Sequence, residues 1–194
     1  VLNQAVAMAD GFLDEGLIVS TRGRNSTMQM EFSAHSGQWL PGTPLMVLVD
    51  RGTASASEVV SGALQDHGRA LIVGERTFGK GSVQSVLPLR NGGGIKLTTA
   101  RYYTPSGRSI QAEGIVPDIV LDPTDPARAN DARKREADLE GHLDREPPAR
   151  ETAASPAGQT QWDWAADMLS VLKEAGILEG TPLESEAVEP KGEN

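Results

Sequence analysis

The chain has 194 residues, a formal net charge of −9 and no cysteine. The missing cysteines exclude disulfides, thiol catalysis and cysteine-ligated zinc. The acidic balance argues against a nucleic-acid surface, which needs clustered Lys and Arg against phosphates.

The sequence opens at Val1 inside a helical pattern and without an initiator Met, so we expect it to be a piece of a longer protein. No apolar run is long enough to span a bilayer as a helix. Leu2, Val6, Ala9, Phe12 and Leu13 recur at helical spacing over residues 1–15, with Gly16 as the expected C-cap. Residues 17–21 read as a strand, and residues 27–32 as a second, with Met28, Met30 and Phe32 on one face. The apolar run 44–49 predicts a buried strand. A helix is predicted over 57–66, with Val59, Val60, Ala63 and Leu64 inward and Gly68 ending it, then a buried strand over 70–73. Strand, helix and strand at this spacing imply a right-handed crossover between parallel strands in an α/β core. A β-section follows, with strands over 83–89 and 95–103 joined by the turn 91–94.

After Leu121 the composition changes. We divide the chain into a core over 1–121, a charged linker over 122–160, an amphipathic helix over 161–178 and a disordered tail over 179–194. The linker is rich in Pro, Asp, Glu, Arg and Ala and too poor in apolar side chains to offset its chain entropy, although residues 132–143 could form a solvated helix. Trp162, Ala165, Ala166, Leu169 and Leu172 mark one face of the C-terminal helix.

Two segments carry chemistry. Gly52-Thr53-Ala54-Ser55-Ala56-Ser57-Glu58 places a serine among small residues between a buried strand and a helix. Ser55-Ala56-Ser57-Glu58 also spells a capping box, in which the serine only starts a helix. Small neighbours let a substrate backbone approach, however, and amides at a helix start can hold an oxyanion, with that of Ala56 the natural donor. The second segment, Phe78-Gly79-Lys80-Gly81-Ser82, puts a lysine between two glycines. A serine hydroxyl needs a base to remove its proton. A lysine serves as that base when burial brings its pKa from about 10.4 towards about 7–8.

Gly74 to Lys80 nearly spells a phosphate-binding loop, but Gly81 stands where that motif needs Ser or Thr. A strand, and not a helix, is predicted to follow. Of the three histidines, His35 falls in a loop, His142 in the linker and His67 in the last turn of a helix, so no motif supports a Ser/His/Asp triad. No His, Asp and Glu spacing suggests a metal site, and no cofactor is expected.

The chain resembles the carboxyl-terminal processing proteases, also called tail-specific proteases. The resemblance runs over residues 47–50, 52–58, 63–66, 72–74, 78–84 and 95–111, and over Gly114, Ile115, Pro117 and Asp118. It implies a crotonase/ClpP-like ββα-type α/β core with an added β-section. It implies Ser55 as nucleophile, Lys80 as base, Gln84 orienting the lysine and Asp66 in a supporting role. It implies a serine endopeptidase acting on proteins with extended or unfolded C-termini; the rival class is a protease-like scaffold that binds tails without cutting them. A PDZ domain outside this chain, an adaptor protein, homo-oligomers and a bacterial periplasm or envelope location complete the expectation.

Overall fold

The computed structural model describes residues 1–24, 29–121, 134–144, 170 and 172. Helix α1 (Leu2–Asp10) leads into strands β1 (Leu17–Gly23) and β2 (Met30–Ser33). Strand β3 (Met46–Val49), helix α2 (Ala56–Asp66) and strand β4 (Leu71–Gly74) follow. The long hairpin of β5 (Ser82–Pro88) and β6 (Gly94–Tyr103) precedes the short β7 (Ile119–Val120). A 3₁₀ turn occupies Glu136–Asp138.

These strands make two sheets. One is antiparallel in the order β2-β1-β6-β5, and the other is parallel in the order β3-β4-β7. The expected strand, helix and strand are present: β3 and β4 pair in parallel from Met46↔Leu71 to Val49↔Gly74, with α2 between them in sequence. The β-section, by contrast, joins β1 and not the parallel sheet, through Ser20↔Tyr103 to Gly23↔Ala100.

The core lies where α1 and α2 pack on β1 and β4. Ala9, Ile18, Val19, Ala63, Leu64 and Ile72 are almost wholly buried there, with Ile110 and Ile115 closing it from the loop after β6. Full burial of each such Val, Leu or Ile stabilises by about 1.5–3 kcal/mol. Ala5 and Ala9 of α1 and Ala63 of α2 belong to the same buried core.

Three expectations need correction. The first helix stops at Asp10, not near residue 15, because Phe12 and Leu13 bond back in a tighter turn to Ala9 and Asp10 and the Gly11 carbonyl accepts the Trp39 N–H at 2.7 Å. Gly16 therefore caps no helix; it turns the chain at φ +91° against His67. The run 44–49 yields a strand only from Met46, and Leu48 is 51% exposed, so this strand is not buried along its whole length. Of the predicted 27–32 strand, Met28 lies outside the described residues, Met30 is exposed and Phe32 is half-buried. The helix expected over 161–178 falls outside them too, save Ser170 and Leu172.

Candidate active site

The parallel pairing of β3 with β4 brings their outgoing loops side by side, since both chains leave the sheet at the carboxyl ends of neighbouring strands. The loop after Val49 carries Ser55, and the loop after Gly74 carries Lys80. Asp50 shapes the first loop: its carboxylate accepts the N–H groups of Gly52 and Thr53, both at 2.9 Å. The Thr53 carbonyl then accepts the Phe78 N–H at 2.9 Å, which stitches the serine loop to the lysine loop.

Ser55 is the N-cap of α2 and is half-buried. Its backbone is at φ 57°, ψ −112°, a region that L-residues rarely occupy. Such a conformation costs of order 1–3 kcal/mol and persists only where its surroundings impose it. Glu58 supplies much of that constraint. It accepts the Ser55 N–H at Oε2 at 2.7 Å, as a capping box requires.

Glu58 does more than cap. The same Oε2 accepts the Lys80 N–H at 2.9 Å, while Oε1 accepts the Thr77 hydroxyl at 2.6 Å and the Gly79 N–H at 2.7 Å. Because one oxygen holds both amides, the nitrogens of Ser55 and Lys80 lie at most about 5.6 Å apart, the sum of the two bond lengths. The side chain is fully buried. Burial pushes its carboxyl above the ordinary value of 4.5, and the bonds from Thr77, Ser55, Gly79 and Lys80 pull the other way. Sequence reasoning saw Glu58 only as half of a capping box; its three partners at 77–80 are contributed by tertiary folding.

The glycines beside Lys80 are required by contact. A Cβ on Gly81 would sit 2.3 Å from the Gln111 nitrogen, and Gly79 holds φ +95° against the backbone of 112–114. The strand β5 begins at Ser82, directly after the turn, so no helix N-terminus follows Lys80 and the phosphate-loop reading lacks its anion site.

Gln84 lies on β5 at a bulge between Val83 and Gln84, with its side chain exposed. Among the described residues no hydrogen bond joins its carboxamide to Lys80. Ala56 opens α2, so its N–H belongs to the first-turn amides that have no intrahelical acceptor. Asp66 stands at the far end of α2, about 16 Å from Ser55 at 1.5 Å per residue. Its carboxylate accepts the Ser106 N–H at 2.8 Å and pairs with the Arg108 guanidinium, fixing the loop after β6.

The histidines are engaged elsewhere. The His67 ring bonds the Leu17 carbonyl at 2.6 Å at the distal end of α2, and exposed His35 pairs with Asp10. Among the described residues no cluster of His, Asp and Glu could hold a metal ion.

The site is thus a serine at a strained helix start, locked by a buried carboxylate to a glycine-flanked lysine turn. The model of peptidase family S41 matches residues 1–121, and the chain belongs to that family. It is 50% identical over 145 residues to the carboxy-terminal-processing protease of Bartonella bacilliformis, covering 74% of this chain and 33% of that protein. The carboxyl-terminal-processing protease of Synechocystis is 47% identical over 122 residues, or 63% of this chain and 28% of the relative. Among solved structures, the photosystem II D1 C-terminal processing protease aligns with a TM-score of 0.59 at 44% identity, covering 66% of this chain and 34% of its own. The chain therefore spans about a third or less of the length of these relatives.

Proposed function

We propose that this chain carries the catalytic dyad of a serine endopeptidase, with Ser55 as nucleophile and Lys80 as general base. The observation that carries the reading is the Glu58 oxygen shared by the amides of Ser55 and Lys80. Ser55 Oγ attacks the scissile carbonyl carbon while the Lys80 amine takes its proton. The Ala56 N–H, at the positive end of α2, faces the developing oxyanion. Lys80 then returns the proton to the leaving amine, and water, deprotonated in turn by Lys80, hydrolyses the acyl-enzyme. In this reading Gln84 orients Lys80, and Asp66 supports the site from the far end of α2. No metal or cofactor enters the sequence of steps.

The relatives described above are carboxyl-terminal-processing proteases, and we extend that substrate class, cleavage near protein C-termini, to this protein. Extended or unfolded tails captured by a PDZ domain, a homo-oligomeric assembly, and a bacterial periplasm or envelope location belong to the same proposal. The test is cleavage of an unfolded protein by the intact protein and by its Ser55→Ala and Lys80→Ala forms. Cutting by the parent alone supports the dyad. Cutting by a correctly folded Lys80→Ala form at the parental rate overturns it.

A further inference from the structure

Residues 134–144 lie within the charged stretch that composition assigns to a linker, yet they return to the turn that carries Lys80. Glu136 donates its backbone N–H to the Phe78 carbonyl at 3.1 Å. Its Oε1 accepts an N–H of the Gln111 carboxamide at 3.1 Å, and the same Gln111 nitrogen donates to the Leu143 carbonyl at 3.3 Å. The opposite end of that carboxamide, Oε1, accepts the Gly81 N–H at 3.2 Å. Gln111 is wholly buried, so its bonds are made away from competing water.

These bonds close a ring around the lysine. One branch grips Phe78 through Glu136, and the other grips Gly81 through Gln111; Gly79 and Lys80 lie between the two anchors. The segment has order of its own: Asp138 Oδ2 accepts the Arg135 N–H at 2.9 Å, and Leu139 bonds back to Glu136 at 3.2 Å. We propose that residues 134–144 form a clasp on the lysine turn, and that Gln111 and Glu136 are positioning residues for Lys80. The consequence for catalysis rests on the dyad proposed above; the mechanical coupling does not.

The test uses the intact protein. In Gln111→Glu the acceptor for Gly81 remains, both donors are lost, and a carboxylate faces that of Glu136. The double variant Gln111→Glu/Glu136→Gln restores a donor and an acceptor across the ring. Amide hydrogen exchange at residues 79–81 and 134–144 is read beside cleavage kinetics. The single variant is expected to exchange faster in both segments and to lose about tenfold in kcat with little change in KM, a rise of roughly 1.4 kcal/mol in the barrier. The double variant is expected to recover both. Glu136→Ala, at a half-exposed position, gives the same exchange readout if Gln111→Glu does not fold. Loosening of 134–144 with no change at 79–81, or a double variant no better than the single, overturns the clasp. If Ser55→Ala still cleaves, the dyad fails, and the exchange result alone still decides the clasp.

Discussion

The Glu58 carboxylate receives the backbone N–H of Lys80, a residue 22 positions further along the chain, on the same oxygen that caps Ser55. A helix-capping carboxylate ordinarily serves its own first turn. Here it also fixes how far the start of α2 stands from the lysine turn. Its four donors fill the acceptor sites that an ionised carboxylate offers.

Glu58→Gln should therefore destabilise the fold. A carboxamide presents one acceptor oxygen, and its NH₂ end would face two buried donors. Leaving a buried donor unsatisfied costs about 1–3 kcal/mol, so with two such donors a loss of roughly 2–6 kcal/mol is expected in denaturant unfolding. The pH dependence has a definite sign. Burial raises the folded carboxyl above 4.5, so the folded chain binds this proton more tightly than the unfolded chain. That contribution is present below about pH 4.5 and is lost as the pH rises through the folded value. Glutamine does not titrate, so the stability gap between parent and variant should narrow as the pH rises. A gap that widens across that window would contradict the assignment.

Strain at Ser55 gives a separate expectation. At φ 57°, ψ −112°, alanine keeps the steric conflict of an L-residue and loses the hydroxyl, whereas glycine adopts the same angles freely. Ser55→Gly should unfold at about 1 kcal/mol higher stability than Ser55→Ala, even though glycine costs more entropy on folding. Both should be inactive. Equal stability of the two would mean that the backbone relaxes without cost.

What the sequence made readable follows from the range of the interactions involved. The crossover β3-α2-β4 was legible because a continuous apolar run, a helical period and a second apolar run stand in order, and parallel pairing of neighbouring strands follows from chain connectivity. Ser55 and Lys80 were legible as local motifs. Glu58 as a bridge was not, since its spacing from Ser55 already fits an ordinary cap and nothing local announces Thr77, Gly79 and Lys80 as further donors. The docking of 134–144 was hidden for a related reason. It rests on a glutamine carboxamide and backbone groups, which leave no apolar period in a polar stretch.

Asp66 tests whether the far end of α2 acts by structure or by chemistry. Its side chain is 7% exposed and holds both the Ser106 amide and the Arg108 guanidinium. Asp66→Asn keeps one acceptor and removes the charge from the pair. A loss of about 1.5–3 kcal/mol in stability is expected, as for hydrogen bonds to charged groups. Activity should fall only with the folded fraction, so kcat measured well below the melting temperature should track the parent. A large drop in kcat in the fully folded variant would give Asp66 a chemical role.

Gly81 offers the sharpest steric test of the lysine turn. A Cβ there would lie 2.3 Å from the Gln111 nitrogen and 2.8 Å from its Cα, and both are backbone atoms that cannot swing aside. Gly92, in the β5–β6 turn, has φ +83° but nothing within 4 Å of an added Cβ. Gly92→Ala should therefore cost only the strain of a positive φ, about 1 kcal/mol. Gly81→Ala should add overpacking, typically 1–3 kcal/mol, and must push the turn away from Gln111 or from Glu58. Either displacement moves Lys80 relative to Ser55, so kcat should fall by more than tenfold while thermal unfolding still shows one cooperative transition. If Gly81→Ala matches Gly92→Ala in both stability and turnover, the lysine turn is free to shift and its tight seat is not what aligns the pair.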